Sequence, residues 1–210
     1  MQLQRTSYKL TEFFLLFVAL PVSLVLEYSP YVKAGLVLTG FIYIIWILLK
    51  VEKQEFKINK LLNWKLFWQR TLVLLIIISI LTTAYVYFTD ASNLFIVVRT
   101  KPFMWIIIVL VYSLLSVYPQ ELIYRTFFFL RYESLFKDPK MLTFINAIVF
   151  CLAHLLFKST LVLILTFLGG ILFAWTFQRT RSTLLVSIEH AIYGSWLFTV
   201  GMGAMLGFPT

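Results

Sequence analysis

Residues 103–130 read FMWIIIVLVYSLLSVYPQELIYRTFFFL, and this stretch decides the fold class. An α-helix of this length would measure about 42 Å, whereas the hydrocarbon core of a bilayer is about 30 Å thick. The rest of the chain has a similar character, because 61% of its 210 residues are hydrophobic and only 13% are charged. The sequence therefore predicts an all-α, polytopic transmembrane helix bundle and excludes a soluble globular protein.

Seven apolar runs are long enough, or nearly long enough, to cross a bilayer as helices. They are residues 13–26, 31–49, 71–88, 103–130, 141–157, 161–177 and 183 to about 206. Ser29, Asp138 and Ser182 precede three of the runs as candidate N-caps. Pro119 interrupts the fourth run, and we expect a local break there because proline removes a helix hydrogen bond. The seven spans are predicted to form a single integral-membrane domain over residues 1–210.

The net charge of +9 is concentrated in the connections between the apolar runs. The richest connection follows the second run and holds Lys50, Lys53, Lys57, Lys60, Lys65 and Arg70. With seven spans the main basic connections fall on one side, which predicts a cytoplasmic N-terminus. No soluble basic domain remains to bind nucleic acid, so the lipid bilayer is the expected partner. The one cysteine, Cys151, excludes an intramolecular disulfide and a multi-cysteine metal site.

Four of the ionisable side chains within the apolar runs attract attention: Glu121, Arg125, His154 and His190. Such a group at the bilayer centre costs at least about 2.5–3.5 kcal/mol, and a native state is stable by only about 5–15 kcal/mol. We therefore expect these side chains to turn inward. At about 1.5 Å per helical residue, Glu121, His154 and His190 lie roughly 15, 20 and 12 Å from the cytoplasmic ends of their spans. The sequence thus predicts one buried polar site at mid-membrane.

The residue types at this predicted site suit hydrolysis. A glutamate can take a proton from water, while two histidines hold the water and stabilise the oxyanion formed on a scissile carbonyl. Glu121, His154 and His190 could also bind zinc, since two histidines and a glutamate form a known catalytic zinc site. No His-x-x-x-His helix is present, so we expect no cofactor and metal-free activation of water. Two structural alternatives stay open: Glu121 and Arg125, spaced i, i+4, would neutralise each other, and each histidine would only bond a neighbouring helix.

Three motifs follow one another in the second half of the chain. They are Pro119-Gln-Glu-Leu-Ile-Tyr-Arg125, Phe150-Cys-Leu-Ala-His154 and Glu189-His190-Ala-Ile-Tyr-Gly194-Ser195. Their order and membrane context resemble those of the CPBP family, the CAAX proteases and bacteriocin-processing enzymes, also called the type II CAAX prenyl endopeptidase or Abi-like family. The resemblance covers about residues 103–206. It implies an intramembrane endopeptidase that hydrolyses a peptide bond of a membrane-associated protein or peptide, with His154 as the family's first histidine and His190 as its second.

Two positions depart from the pattern of that family. Gln120 stands where the resemblance implies a first glutamate that activates water, and an amide cannot act as a general base. Gly194 stands where an asparagine often lies, although the adjacent Ser195 could supply a donor. We predict that Glu121 takes over as the base, with the supporting residues Gln120, Arg125, Phe150, Gly194 and Ser195. The alternatives are a catalytically silent membrane scaffold or immunity protein and a small transporter.

Overall fold

The computed structural model describes residues 2–54 and 63–207, and within these ranges the chain is built from helices and turns. Eight helices can be followed there: α1 spans residues 6–23, α2 Pro30–Val51, α3 Trp64–Asn93, α4 Ile96–Thr100, α5 Pro102–Leu135, α6 Pro139–Leu152, α7 Thr160–Thr180 and α8 Thr183–Val200. Short 3₁₀ turns lie at Gln2–Gln4, Leu155–Phe157 and Gly203–Leu206. The predicted all-α class is confirmed. Lys57 and Lys60 of the basic connection lie outside the described residues.

Five of the seven predicted spans are long and apolar enough to cross a membrane. They are α2, α3, α5, the helical stretch Pro139–Phe157 and α7. The first and last predicted spans form helices α1 and α8, which carry charged side chains among their apolar residues: Lys9 and Glu12 in α1, and Glu189 in α8. Helix α8 ends at Val200 because Gly201 adopts a left-handed φ of 108°, so the predicted end near Leu206 is wrong. The number of seven spans stays a prediction.

The described residues divide into two compact units. Unit 1 contains residues 2–54 and 122–179, and unit 2 contains residues 63–121 and 180–207. Helices α1, α2, α6 and most of α7 therefore belong to unit 1, and α3, α4 and α8 belong to unit 2. Helix α5 contributes its first part to unit 2 and its second part to unit 1. Glu121 and His190 are thus residues of unit 2, whereas Arg125 and His154 are residues of unit 1. The single predicted domain over residues 1–210 stays a prediction.

Helix α5 continues past Pro119, so the expected break is wrong. A π-helical segment, Tyr112–Val117, lies directly before the turn that holds Pro119, and a second, Leu122–Phe127, lies directly after that turn. Pro21 in α1 also follows a π-helical segment. Because proline lacks a backbone N–H and its ring crowds the carbonyl four residues earlier, a wider turn lets the helix continue. Glu121 consequently lies in one α-helical turn between two π-helical segments.

The starts of the helices follow the chemistry expected of N-caps. The Asp138 side chain accepts a hydrogen bond from the Lys140 backbone N at 2.8 Å, and the Ser182 hydroxyl accepts one from the Leu185 N at 3.3 Å. Both predicted caps are confirmed. Ser29 precedes α2 but makes no side-chain capping bond, so that predicted cap is wrong. Pro30 suits the first position of α2, because the backbone N–H that proline lacks would have no partner within the helix there.

A buried ionic network holds the N-terminal helix of unit 1 in place. Arg131 of α5, which is 0% exposed, donates to Glu12 Oε1 at 2.7 Å, to Glu52 Oε1 at 2.8 Å and to the Leu3 carbonyl at 2.6 Å. The hydroxyl of Tyr132 also donates to Glu12, at 2.9 Å. Because one guanidinium serves three acceptors from distant parts of the chain, it joins α1, the end of α2 and α5 within this unit.

An aromatic core packs beside this network in unit 1. The Phe17 ring of α1 lies 5.4 Å from that of Phe128 and 5.5 Å from that of Tyr124, in edge-to-face contacts. Phe127, Phe128 and Phe129 are fully buried, although they follow one another in sequence. Three consecutive residues of an ordinary helix point in different directions, so their burial shows that this part of α5 is covered on several sides.

Gly170 of α7 lies at a close approach to α6 in unit 1. A Cβ atom at this position would lie 2.8 Å from the Cα of Ala147, closer than real side chains approach a backbone. We expect Gly170→Ala to lower the free energy of unfolding by about 1–3 kcal/mol, since the overlap is with backbone atoms. Reversible unfolding in mixed micelles measures this change.

The matched control for this variant is Gly35→Ala in α2. Within residues 2–54 and 63–207, no heavy atom lies within 4 Å of a Cβ placed at Gly35, apart from its own neighbours in the helix. Alanine is favoured over glycine in a helix by about 1 kcal/mol, so this control should be neutral or slightly stabilising. Equal stabilities of the two variants would contradict the tight packing assigned to Gly170.

Candidate functional site

Glu121 and His190 are in contact within unit 2. The distance between Glu121 Oε1 and His190 Nδ1 is 2.7 Å, and the two residues are 0% and 7% exposed. Helix α5 supplies the glutamate from the turn between its two π-helical segments, and α8 supplies the histidine from its middle. The structure therefore brings together two of the three residues that the sequence predicts as catalytic.

This contact fixes the orientation of the His190 ring. An ionised carboxylate only accepts hydrogen bonds, so Nδ1 carries the proton that it donates to Glu121. The Nε2 atom of the neutral ring is then a proton acceptor. The pair can therefore take up a proton at His190 Nε2 while the carboxylate of Glu121 compensates the positive charge that the ring gains.

Gly194 lies one helical turn after His190, and Tyr112 of α5 occupies the space beside it. A Cβ atom at Gly194 would overlap with the Tyr112 hydroxyl and would lie 2.5 Å from Cζ of that ring. The Tyr112 ring also faces His190, with 6.0 Å between the centroids and 82° between the planes. An asparagine in place of Gly194 would therefore not fit with Tyr112 in this position. The adjacent Ser195 accepts a hydrogen bond through its carbonyl from the Thr199 hydroxyl at 2.8 Å.

Gln120, at the position of the implied first glutamate, makes a hydrogen bond within α5. Its Nε2 atom donates to the Ser116 hydroxyl at 2.8 Å, one turn earlier in α5. Its Oε1 atom is buried and accepts no hydrogen bond from the residues of the described ranges. A buried amide oxygen is costly without a donor, so this atom is suited to accept a hydrogen from a water molecule.

A second buried carboxylate, Glu189, has partners of its own in unit 2. Its Oε1 atom accepts a hydrogen bond from the Tyr193 hydroxyl at 3.0 Å and lies 3.9 Å from Nη2 of Arg70. The Tyr193 hydroxyl lies 3.3 Å from the carbonyl oxygen of Thr71. Glu189 therefore links α8 to α3, which is the kind of helix-to-helix contact expected of a polar group in an apolar bundle.

His154 lies in unit 1, together with Phe150 and Arg125. Its Nδ1 atom is 2.7 Å from the carbonyl oxygen of Phe150. A carbonyl only accepts, so Nδ1 donates and Nε2 of the neutral ring is again the proton acceptor. The Phe150 ring lies 4.8 Å from the His154 ring and 4.6 Å from Arg125 Cζ, measured from its centroid. Three predicted site residues are thus neighbours in this unit.

Arg125 is held by Asn146, a residue that the sequence reasoning missed. Its Nη1 atom donates to Asn146 Oδ1 at 2.7 Å and to the Tyr124 carbonyl at 3.2 Å, and Asn146 Nδ2 donates to the same carbonyl at 2.6 Å. An asparagine inside an apolar run was the available signal. Tyr112 was also missed, and nothing in its sequence position distinguishes it from other tyrosines. The predicted Glu121–Arg125 pair stays a prediction.

Metal binding was left open by the sequence. Among residues 2–54 and 63–207, no three His, Cys, Asp or Glu side chains are grouped so as to hold a metal ion. Both the expected metal-free chemistry and its zinc alternative stay predictions.

The comparisons with known proteins give one match. Residues 102–196 match the family described as type II CAAX prenyl endopeptidase Rce1-like. No curated protein and no solved structure matches the chain. The matched segment begins one residue before the predicted motif-bearing half and contains all three motifs, from Pro119 to Ser195. The predicted resemblance to CAAX proteases is confirmed, because the motif-bearing segment of this integral membrane protein matches the Rce1-like family of type II CAAX prenyl endopeptidases.

Proposed function

We propose that this protein is an intramembrane endopeptidase in which Glu121 and His190 activate a water molecule. The observation that carries the proposal is the 2.7 Å contact between these two buried side chains, within the segment that matches a protease family. Its substrate is a membrane-associated protein or peptide. The basic connections, including Lys50 and Lys53, support a cytoplasmic N-terminus through the positive-inside rule.

In the proposed reaction, water gives a proton to His190 Nε2 while its oxygen attacks the carbonyl carbon of the scissile peptide bond. The electron pair of the carbonyl double bond moves to its oxygen and forms a tetrahedral oxyanion. His190 then returns the proton to the leaving nitrogen as the carbon–nitrogen bond breaks, which yields a carboxylic acid and an amine. Glu121, predicted as the base, acts through His190 by holding its ring and compensating its charge.

His154 and Gln120 complete the proposed set. His154 joins it on the order of the motifs, as a second imidazole that binds the water or the oxyanion. Gln120 replaces a glutamate, so it cannot take a proton, but its buried Oε1 atom can orient the attacking water by accepting one of its hydrogens. In this proposal, the Glu121–His190 pair takes up the proton and Gln120 orients the attacking water.

A catalytically silent scaffold is the second candidate, and the glutamine at position 120 is the observation that favours it. The discriminating experiment incubates the purified protein in detergent with membrane-tethered peptides, with and without 1,10-phenanthroline. We expect cleavage that Glu121→Ala, His154→Ala and His190→Ala each abolish and that the chelator leaves intact. Retention in all three variants would reject the site, inhibition by the chelator would favour the zinc alternative, and an inactive wild type would favour the scaffold.

His154 and His190 should act together in the same cleavage reaction. We expect the double variant His154→Ala/His190→Ala to have a kcat close to that of the slower single variant, because residues that act as a unit show strongly non-additive losses. Single-turnover cleavage rates of the four proteins measure this coupling. Losses that multiply across the two positions would contradict a shared role for His154.

A further inference from the structure

We propose that the Tyr112 hydroxyl is a hydrogen-bond donor to the tetrahedral oxyanion, and that position 194 is a glycine because this hydroxyl needs the space. The inference rests on the proposed endopeptidase function and names a further residue of the same site. Unit 2 holds all four residues concerned: Glu121 and Tyr112 come from α5, and His190 and Gly194 come from α8.

Gly194 leaves room on α8 for a side chain from α5. Gly194 lies in the interior of α8, where glycine is unfavourable compared with alanine. It follows His190 by four residues, so the two lie on the same face of the helix. Any side chain at this position would begin in the volume that the Tyr112 hydroxyl and its Cζ already fill. The absence of a Cβ therefore lets a phenol reach the face of α8 that carries His190.

The Tyr112 ring is held in place by neighbouring aromatic rings. Tyr112 is only 8% exposed. Its ring packs edge-to-face against the ring of Phe198, with 4.8 Å between the centroids, and also against the ring of His190. Rings enclosed in this way have few alternative rotamers. Because donors that are held in place before the reaction need no reorganisation, a hydroxyl on such a ring suits the stabilisation of a developing charge.

The proposed reaction creates a negative charge that such a hydroxyl can stabilise. When His190 has taken the proton from water, the carbonyl oxygen of the substrate carries a negative charge that requires donors. A tyrosine hydroxyl donates one hydrogen bond and stays neutral while doing so. No bond to hydrogen is broken in this role, so Tyr112 stabilises the oxyanion without competing with His190 for the proton.

The test compares Tyr112→Phe with Tyr118→Phe in the cleavage assay. Phenylalanine keeps the ring packing and removes only the hydroxyl, and Tyr118 is a more exposed tyrosine of the same helix. We expect Tyr112→Phe to lower kcat by a factor on the order of 10²–10³, with KM nearly unchanged, as for the loss of one oxyanion donor. Tyr118→Phe should retain the wild-type kcat. Thermal unfolding of each variant checks that the fold is kept.

A second experiment replaces the tyrosine hydroxyl by an amide donor on the facing helix. Tyr112→Ala opens the space beside position 194, and the double variant Tyr112→Ala/Gly194→Asn then places an amide donor there. We expect the double variant to regain part of the kcat that Tyr112→Ala loses. A Tyr112→Phe variant with a wild-type kcat would overturn the role of Tyr112 and leave the endopeptidase proposal standing, whereas a wild type without cleavage would overturn both.

Discussion

Glu121→Gln is expected to lower kcat by a factor on the order of 10⁴, as when the acid of a Ser-His-Asp triad becomes an amide. Glutamine keeps the size of the side chain but removes the charge that compensates the protonated His190 ring. Its amide can also donate to Nδ1, which would hold the ring in the wrong tautomer. KM should change little, because the loss falls on the step that moves the proton. Steady-state cleavage of a membrane-tethered peptide measures both constants.

Three further variants make this prediction specific. Glu27→Gln changes an exposed carboxylate and should leave kcat unchanged. Gln120→Ala should slow cleavage less than Glu121→Gln does, since Gln120 only positions the water. Gln120→Glu should remain active, because it adds a second carboxylate beside the first. A Glu121→Gln variant that cleaves normally, together with an inactive Gln120→Ala, would contradict the assignment of Glu121.

Arg131→Met is expected to lower the free energy of unfolding by about 3–5 kcal/mol, the usual cost of removing one partner of a buried ion pair. The guanidinium is 0% exposed and makes hydrogen bonds to Glu12, Glu52 and the Leu3 carbonyl. Methionine has a comparable length but leaves the Glu12 carboxylate buried without its cation. Reversible unfolding in mixed micelles, followed by tryptophan fluorescence, measures the loss.

The surface variant Arg179→Met is the matched control. Arg179 is exposed, and its guanidinium lies 3.8 Å from the centroid of the Trp175 ring, a contact worth about 0.5–1 kcal/mol at such sites. The double variant Arg131→Met/Glu12→Gln should regain part of the stability, because it also removes the uncompensated charge. Equal losses for Arg131→Met and Arg179→Met would argue against the network as an anchor of α1.

The sequence predicted what depends on local composition. Apolar length was sufficient for the five membrane-capable helices, and short polar side chains before a helix were sufficient for the caps at Asp138 and Ser182. The cost of charge in an apolar bundle pointed to Glu121 and His190, which are indeed in contact. Their catalytic roles, and that of His154, stay predictions.

The contacts that could not be predicted depend on packing between distant segments. Arg131 and Glu12 are separated by 119 positions, and neither shows in the sequence that it will be buried with the other. Tyr112 gains its place only because Gly194 lacks a side chain, a relation between two helices that no local pattern contains. The sequence also indicated a broken helix at Pro119, since periodicity at 3.6 residues per turn does not anticipate a π-helical turn.

Because α5 contains two π-helical segments, the direction in which the Glu121 side chain points around the helix axis depends on the number of residues in those segments as well as on residue identity. A helical wheel drawn at 3.6 residues per turn misplaces every side chain that follows Tyr112–Val117. Converting that segment to an ordinary α-helix of the same length would rotate the carboxylate by about 100° relative to the helix that precedes it, because the wider turn accommodates one extra residue. The register of the backbone is therefore as much a determinant of this site as the glutamate itself.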